Sequence, residues 1–351
     1  MRNLGASMVL AAAATLAGAH YDKLNAQAGK PPMSGMDTSA SASMRGGMRG
    51  KMGATMPVGI MVGHAKSWMV GYQYMFENLD GLLDGSAAIS QTDVLTRFST
   101  TPTGMSMRMH MGVAMYSPTA TFTVMAMLPY IAMSMGELHR DSTRSTERSS
   151  GIGDLALRGL LSVYATKDSR HRILANFGII LPTGSIDHPG ADGLRLEYPM
   201  QTGAGTASLL PGVTYLGQAL PMSWGAELSS TVRVGTNAHG YRLGNLYEPR
   251  VWLTRQVSRL ASVSAGASSE LWGNIHGSDA SLDPTDEPTK AANIQGGKRV
   301  SASLGVTLHP ASGFLAGQQA LLEGDVPVVQ SLNGPQLKTS YMLRMALQWA
   351  F

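Results

Sequence analysis

The sequence predicts an all-β fold: a transmembrane antiparallel up-and-down β-barrel of about twelve strands, closed by its C-terminal strand. Three observations predict it. The last residues form a regular amphipathic strand. Strand-length segments recur from residue 66 onward. The connections between them alternate between long and short.

Read back from the terminus in steps of two, one face of the last segment carries Phe351, Trp349, Leu347, Met345, Leu343 and Tyr341. The other carries Ala350, Gln348, Ala346, Arg344 and Met342. A period of two is that of a strand. A soluble domain gains little from a strictly apolar strand at its fraying end. A barrel in lipid needs one there, because the last strand must pair with the first and face hydrocarbon. Tyr341, Trp349 and Phe351 are accordingly the expected signal for barrel-assembly machinery.

The alternation begins with Trp68, Val70, Tyr72, Tyr74 and Phe76 on one face. Met105, Met107, Met109 and Met111 share a face of the second segment, with Arg108 and His110 on the other. Phe122, Val124 and Leu128 follow, then segments around 155–163, 173–181, 209–215, 224–234, 251–253, 263–267, 300–308 and 316–329, before the terminal strand. The connections 77–103, 132–150, 183–206, 235–246 and 273–297 are long. Those near 117, 166–170, 218–221, 258–259 and 310–315 are short, and 330–337 is of medium length. Such alternation marks long extracellular loops and short periplasmic turns, with both termini periplasmic. A soluble sandwich or propeller also has short alternating strands, but it predicts neither the loop rhythm nor the terminal strand.

Composition agrees. The 351 residues include 41 Gly, no Cys and only 14% charged residues, against about 25% in soluble domains. Without Cys there are no disulfides, iron–sulfur clusters or thiolate zinc sites. The net charge of +4 is dispersed, and no nucleic-acid motif is present. Arg2, the apolar run from Met8 to Ala17 and Ala17-Gly18-Ala19 read as a signal peptide over 1–19. Residues 20–60 read as a disordered Met/Gly/Ser-rich periplasmic tail, and 61–351 as the barrel in the bacterial outer membrane.

If apolar faces meet lipid, the opposite faces line the lumen. The expected lining is Arg108, His110, Asp154, Arg158, Glu227, Arg233, Glu248, Arg250, Glu270, Arg299 and Arg344. Charges inside hydrocarbon are costly, so these face inward whether they merely pair or line a solute path. By the same reasoning Met105 to Met111 are expected on the lipid face as apolar filler, and Met125 and Met127 in the lumen.

Of 24 Met residues, 18 fall between Met33 and Met135. Thioethers suit soft ions such as Cu(I). Met33, Met36, Met44, Met48, Met52 and Met56, with His64, are therefore a candidate transient Cu(I) or Ag(I) site. No cofactor is otherwise expected. No Gly-x-Ser-x-Gly, His-Glu-x-x-His or phosphate-loop motif is present, so no enzyme is expected.

Several motifs resemble the family of outer-membrane transporters named for the MetA pathway of phenol degradation. They are Gly151-Ile152-Gly153-Asp154-Leu155, Gly178-Ile179-Ile180-Leu181-Pro182-Thr183-Gly184, Tyr198-Pro199-Met200-Gln201, Gly203-Ala204-Gly205 and Gly240-Tyr241-Arg242-Leu243-Gly244. The resemblance covers about residues 60–351. It implies a barrel that moves hydrophobic compounds. Physically, Pro182-Thr183-Gly184 should end a strand at the rim, and Gly151-x-Gly153 should allow tight entry into the next. The expected function is outer-membrane passage of a small solute, a hydrophobic or aromatic compound or a soft metal ion. The alternative is a plugged structural or metal-sequestering barrel without transport. Expected partners are outer-membrane lipid, lipopolysaccharide and the solute.

Overall fold

The computed structural model describes residues 65–191, 193–310 and 318–351. The expected leader over 1–19, the tail over 20–60 and the candidate ligands Met33, Met36, Met44, Met48, Met52, Met56 and His64 lie outside the described residues.

Chain order begins with β1 (Ser67–Gly85), β2 (Ala87–Ile89), helix α1 (Gln91–Arg97), β3 (Thr100–Ser117) and β4 (Phe122–His139). Next come β5 (Arg144–Ile152), β6 (Leu155–Ala165), β7 (His171–Leu181), β8 (Ser208–Leu209), β9 (Gly212–Ala219) and β10 (Met222–Arg233). The last are β11 (Tyr241–Arg242), β12 (Leu246–Gln256), β13 (Ala261–Trp272), β14 (His276–Gly277), β15 (Gly297–Leu308) and β16 (Gln319–Ala350).

The staves close antiparallel. β5 and β6 together make one stave, since both pair with β4. β8 and β9 make another between β7 and β10. β16 pairs with β15 through Ala320–Leu332 and with β1 through Leu332–Ala350. It climbs along one neighbour and descends along the other, so this single 32-residue element is a hairpin of two staves. The wall thus has the twelve staves expected from the sequence. Closure leaves no free edge, which is what lipid demands of a sheet.

The strands run further than the alternation alone suggested. β1 extends to Gly85, where the sequence placed a loop from residue 77. The expected loop 132–150 is mostly a hairpin of β4 and β5 turning at residues 140–143. At about 3.3 Å per residue, the 18 residues of β4 far exceed an apolar band about 25 Å tall. The wall therefore projects beyond the bilayer at its loop end.

The outer face is apolar. Leu304, Val326, Val328 and Val263 are 73%, 56%, 62% and 41% exposed, too many large aliphatics for a water-facing surface. Aromatics gird it: Trp68 packs on Tyr116 at 4.6 Å near the turn end, and Phe76 on Tyr341 at 6.0 Å higher up. Tyr341, Leu343 and Met345 face out from the last stave. Phe351 accepts from the Trp68 backbone N–H at 3.3 Å and donates to its carbonyl at 2.8 Å.

One face assignment is reversed. Register pairs His110 with Tyr74 and Arg108 with Phe76, residues of the outer face. Arg108 and His110 therefore point outward, and Met105, Met107, Met109 and Met111 point inward beside Met133 and Met135. The reason is height. Arg108 and His110 lie in the aromatic girdle, where the cost of charge falls to about 0–1 kcal/mol. Tyr72 Oη lies 2.7 Å from His110 Nδ1, and the Tyr74 ring lies 5.0 Å from its imidazole.

This yields a graded test. Leu304→Arg, in mid-band, should cost about 2–4 kcal/mol, and Arg108→Leu should stay within about 1 kcal/mol. Urea titration of the barrel folded into lipid vesicles measures both. Equal costs would remove the girdle assignment.

Candidate functional site

The interior is organised in layers by paired charges. In the upper layer Arg299 donates to Glu77 Oε1 and Glu270 Oε2, both at 2.7 Å. It also contacts the Thr339 hydroxyl, which donates to Glu77 at 2.8 Å. In the layer below, Arg250 and Arg344 reach Glu323 at 2.7 and 2.8 Å, and Arg344 reaches Asp325 at 3.3 Å. Glu227 stands opposite Arg250 on the adjacent stave, and Glu248 opposite Ser229. Arg158 pairs across from inward-facing Met125. Below these lies an apolar layer of Leu174, Leu216 and Trp252, all buried.

The structure thus brings Arg158, Glu227, Glu248, Arg250, Glu270, Arg299 and Arg344 into the lumen, while Arg108 and His110 stand outside. Asp154 faces inward, but its carboxylate serves the backbone. Oδ1 accepts from the Gly184 N–H and Oδ2 from the Ala204 N–H, both at 2.9 Å. Thr183 Oγ1 donates to the Gly153 carbonyl at 2.9 Å. Gly184 and Gly203 touch through bare backbone: a Cβ on Gly203 would clash with the Gly184 carbonyl. The motifs around Gly153, Gly184 and Gly203 therefore form one clasp. It does more than end strands, because it turns the loop 182–207 into the barrel mouth.

That loop carries Glu197, Tyr198 and Met200, all buried. Tyr198 meets Tyr241 edge to face at 4.8 Å, within a cluster with Ile275, Leu282 and Ala292. Three loops, 182–207, 234–245 and 273–296, thereby pack into one plug. Arg195 ties the first to the third through Asp279. Desolvation opposes ionisation of Asp279, but hydrogen bonds from Ser281 and Arg195 hold its carboxyl below the usual range.

Between the plug and the upper charge layer lies a chamber of about 420 Å³. Leu79, Met105, Met135, Trp272, Leu332 and Leu337 give it apolar walls. Arg233, Glu270 and Arg299 give it a polar side, and Tyr198 and Ile275 form the roof. The Trp272 indole N–H donates to the Gln295 carbonyl at 2.8 Å, which fixes the ring. No sequence pattern singled out the chamber, since its lining comes from eight strands and three loops. The nearest signal was the pair of motifs containing Tyr198 and Tyr241.

On the loop end, Glu137 of β4, Glu197 and Glu287 converge, one carboxylate oxygen of each within 4.8 Å of the others. Burial pushes the Glu197 carboxyl up to about 7, with Glu137 adding repulsion. Burial, then Glu197 and Glu137, pushes Glu287 well above the carboxylate range. Glu147, His139, Asp286 and Lys290 line the same cavity.

A closed wall, apolar outside and ion-paired within, with loops folded into its mouth, defines a barrel of the outer-membrane channel type. The chain belongs to the family described as "Putative MetA-pathway of phenol degradation", whose model matches residues 85–329. Its fold is similar to the COG4313 outer membrane channel from Pseudomonas putida F1, at TM-score 0.57 and 12% identity over 85% of this chain and 100% of that one. A Pseudomonas aeruginosa FadL homologue aligns at TM-score 0.40 and 11% identity, over 81% of this chain and 90% of that one. No curated protein sequence matches the chain.

Two outcomes follow. Arg299→Ala strands Glu77 and Glu270 in a buried layer and should cost about 3–5 kcal/mol, read as a lower urea midpoint; the conservative Glu270→Gln should cost less. For Glu197, the folded state favours the protonated form. Its contribution to stability is present below the ordinary value of 4.5 and lost as pH rises to about 7. In chelator-treated detergent solution the melting temperature should fall from pH 4.5 to 7.5, and Glu197→Gln should flatten that slope.

Proposed function

We propose that this chain is a channel, not an enzyme, that passes small hydrophobic or aromatic solutes bearing a polar group across the bacterial outer membrane. The observation that carries the reading is the chamber. Its apolar walls (Leu79, Met105, Met135, Trp272, Leu332) face a guanidinium-bearing side at Arg233 and Arg299. Apolar pockets with a few fixed polar groups are the ordinary design of small-molecule sites. Its 420 Å³ accommodate a single substituted ring rather than a long chain. The family's description names phenol degradation, and a phenol or aromatic acid has the required chemistry: a flat apolar face for Trp272 and an oxygen for Arg299.

In this reading the loop end faces outside and both termini face the periplasm. The inward methionines provide an adaptable apolar surface beneath the chamber. Arg108 and Arg148, with Ser106, Ser134 and Ser150, border a groove on the loop-end half of the wall, and Arg108 points outward there to meet lipid or lipopolysaccharide phosphate. A soft-ion cargo rests on the Met tail alone, outside the described residues. A plugged scaffold without transport draws support from the buried apolar cluster of Leu174, Leu216 and Trp252 on the lumen side of the wall.

Uptake into proteoliposomes separates these readings. The barrel should admit phenol and benzoate but exclude glucose. Trp272→Ala should lower aromatic flux several-fold, and Arg299→Lys should affect benzoate more than phenol. Absence of any flux or conductance in the wild type would establish the scaffold.

A further inference from the structure

The loop-end acids come from three distant places: Glu137 from the wall, Glu197 before the turn Tyr198–Met200, and Glu287 before the turn Pro288–Lys290. Three carboxylates gathered under a plug are ordinarily unfavourable, since like charges repel and desolvation penalises each. The remaining contacts do not compensate them. Glu197 and Glu287 are 2% and 1% exposed, and Oε1 of each is buried without a hydrogen-bond partner. Lys290, the nearby cation, commits its ammonium to Asp286 at 2.6 Å. Glu137 receives one hydrogen bond, from the Ser145 hydroxyl at 2.8 Å.

The geometry points to a calcium site formed by Glu137, Glu197 and Glu287, which ties the loops 182–207 and 273–296 to the barrel wall. Oxygens about 2.3–2.6 Å from a common Ca²⁺ lie at most about 5 Å apart, and the three carboxylate oxygens lie within 4.8 Å of one another. Ca²⁺ accepts about six to eight oxygens in irregular geometry, whereas Mg²⁺ demands a near-ideal octahedron and dehydrates reluctantly. The donors are hard oxygens, which disfavours soft ions. The adjoining cavity of about 560 Å³ has room for the waters that complete a calcium shell. Calcium there would lock the plug above the chamber, because Tyr198 and Thr289, which line the chamber, lie within two residues of Glu197 and Glu287.

The test uses the full chain, folded in detergent without lipopolysaccharide and stripped with chelator. Millimolar Ca²⁺ should raise the melting temperature by about 5 °C, the shift for a ligand at about 100 times its dissociation constant. Glu197→Gln and Glu287→Gln should each abolish the rise, while Glu147→Gln keeps it. Tb³⁺ should give tyrosine-sensitised emission with one equivalent, displaced by Ca²⁺. Absence of both the rise and the emission in the wild type overturns the site. So does a rise that persists in both Gln variants. Should a variant fail to fold, the Ca²⁺-displaceable Tb³⁺ emission of the wild type decides alone.

Discussion

Everything in this molecule depends on one ladder, the pairing of β16 with β1. In hydrocarbon an unpaired N–H or C=O costs several kcal/mol, so an open sheet cannot stay there. The pairing from Met69 with Ala350 to Gly85 with Leu332 closes the wall and sets which face of every stave meets lipid. Once Trp349 and Leu347 face out beside Val70 and Tyr72, Gln348 and Ala346 must face in, and both are buried. The polarity of the interior then follows without further instruction.

A closed interior of this width cannot be left loosely filled. The wall solves this with two chemistries at different heights. Charged layers centred on Arg299 and on Glu323 cross-brace staves that are far apart in sequence, such as β1 with β13 and β15. Thioethers fill the wall of β3 and β4, where Met115 faces Met125 and Met107 faces Met133. The unbranched Met side chain suits a surface of irregular shape. Above these, the Asp154 clasp turns backbone that would extend into water back over the lumen.

How much of this could be read from the chain varies with the kind of signal. The barrel, its twelve staves and the lipid face of the last strand were legible, because a period of two and a loop rhythm are local properties. The faces of β3 were misjudged for a physical reason. Met is apolar enough for either side, and a charge at girdle height is tolerated, so polarity did not decide the pattern; only the register with Tyr74 and Phe76 does. The motifs around Gly153, Gly184, Gly203 and Tyr241 were visible as punctuation, but their meeting in one clasp and plug is a tertiary fact. The acids at 137, 197 and 287 gave no signal at all, since nothing local relates them.

The plug bears on how the chamber works. A solute entering from the loop end must pass Tyr198, Tyr241 and their neighbours, which are held by ion pairs and aromatic contact rather than by a covalent bond or regular ladder. The two-residue pairing of β11 with β14 adds a few backbone bonds across the loops, and the Ser99 and Thr100 N–H groups each donate to the Asp286 carbonyl at 2.9 Å. Structure of this kind opens at a fraction of the cost of global unfolding. The wall, by contrast, cannot open without exposing its ladder to lipid. In the proposed channel motion therefore falls to the loops, and the residues that would govern passage belong among those anchoring them: Asp154 at the base, Arg195 across to Asp279, and the carboxylates that crowd the roof.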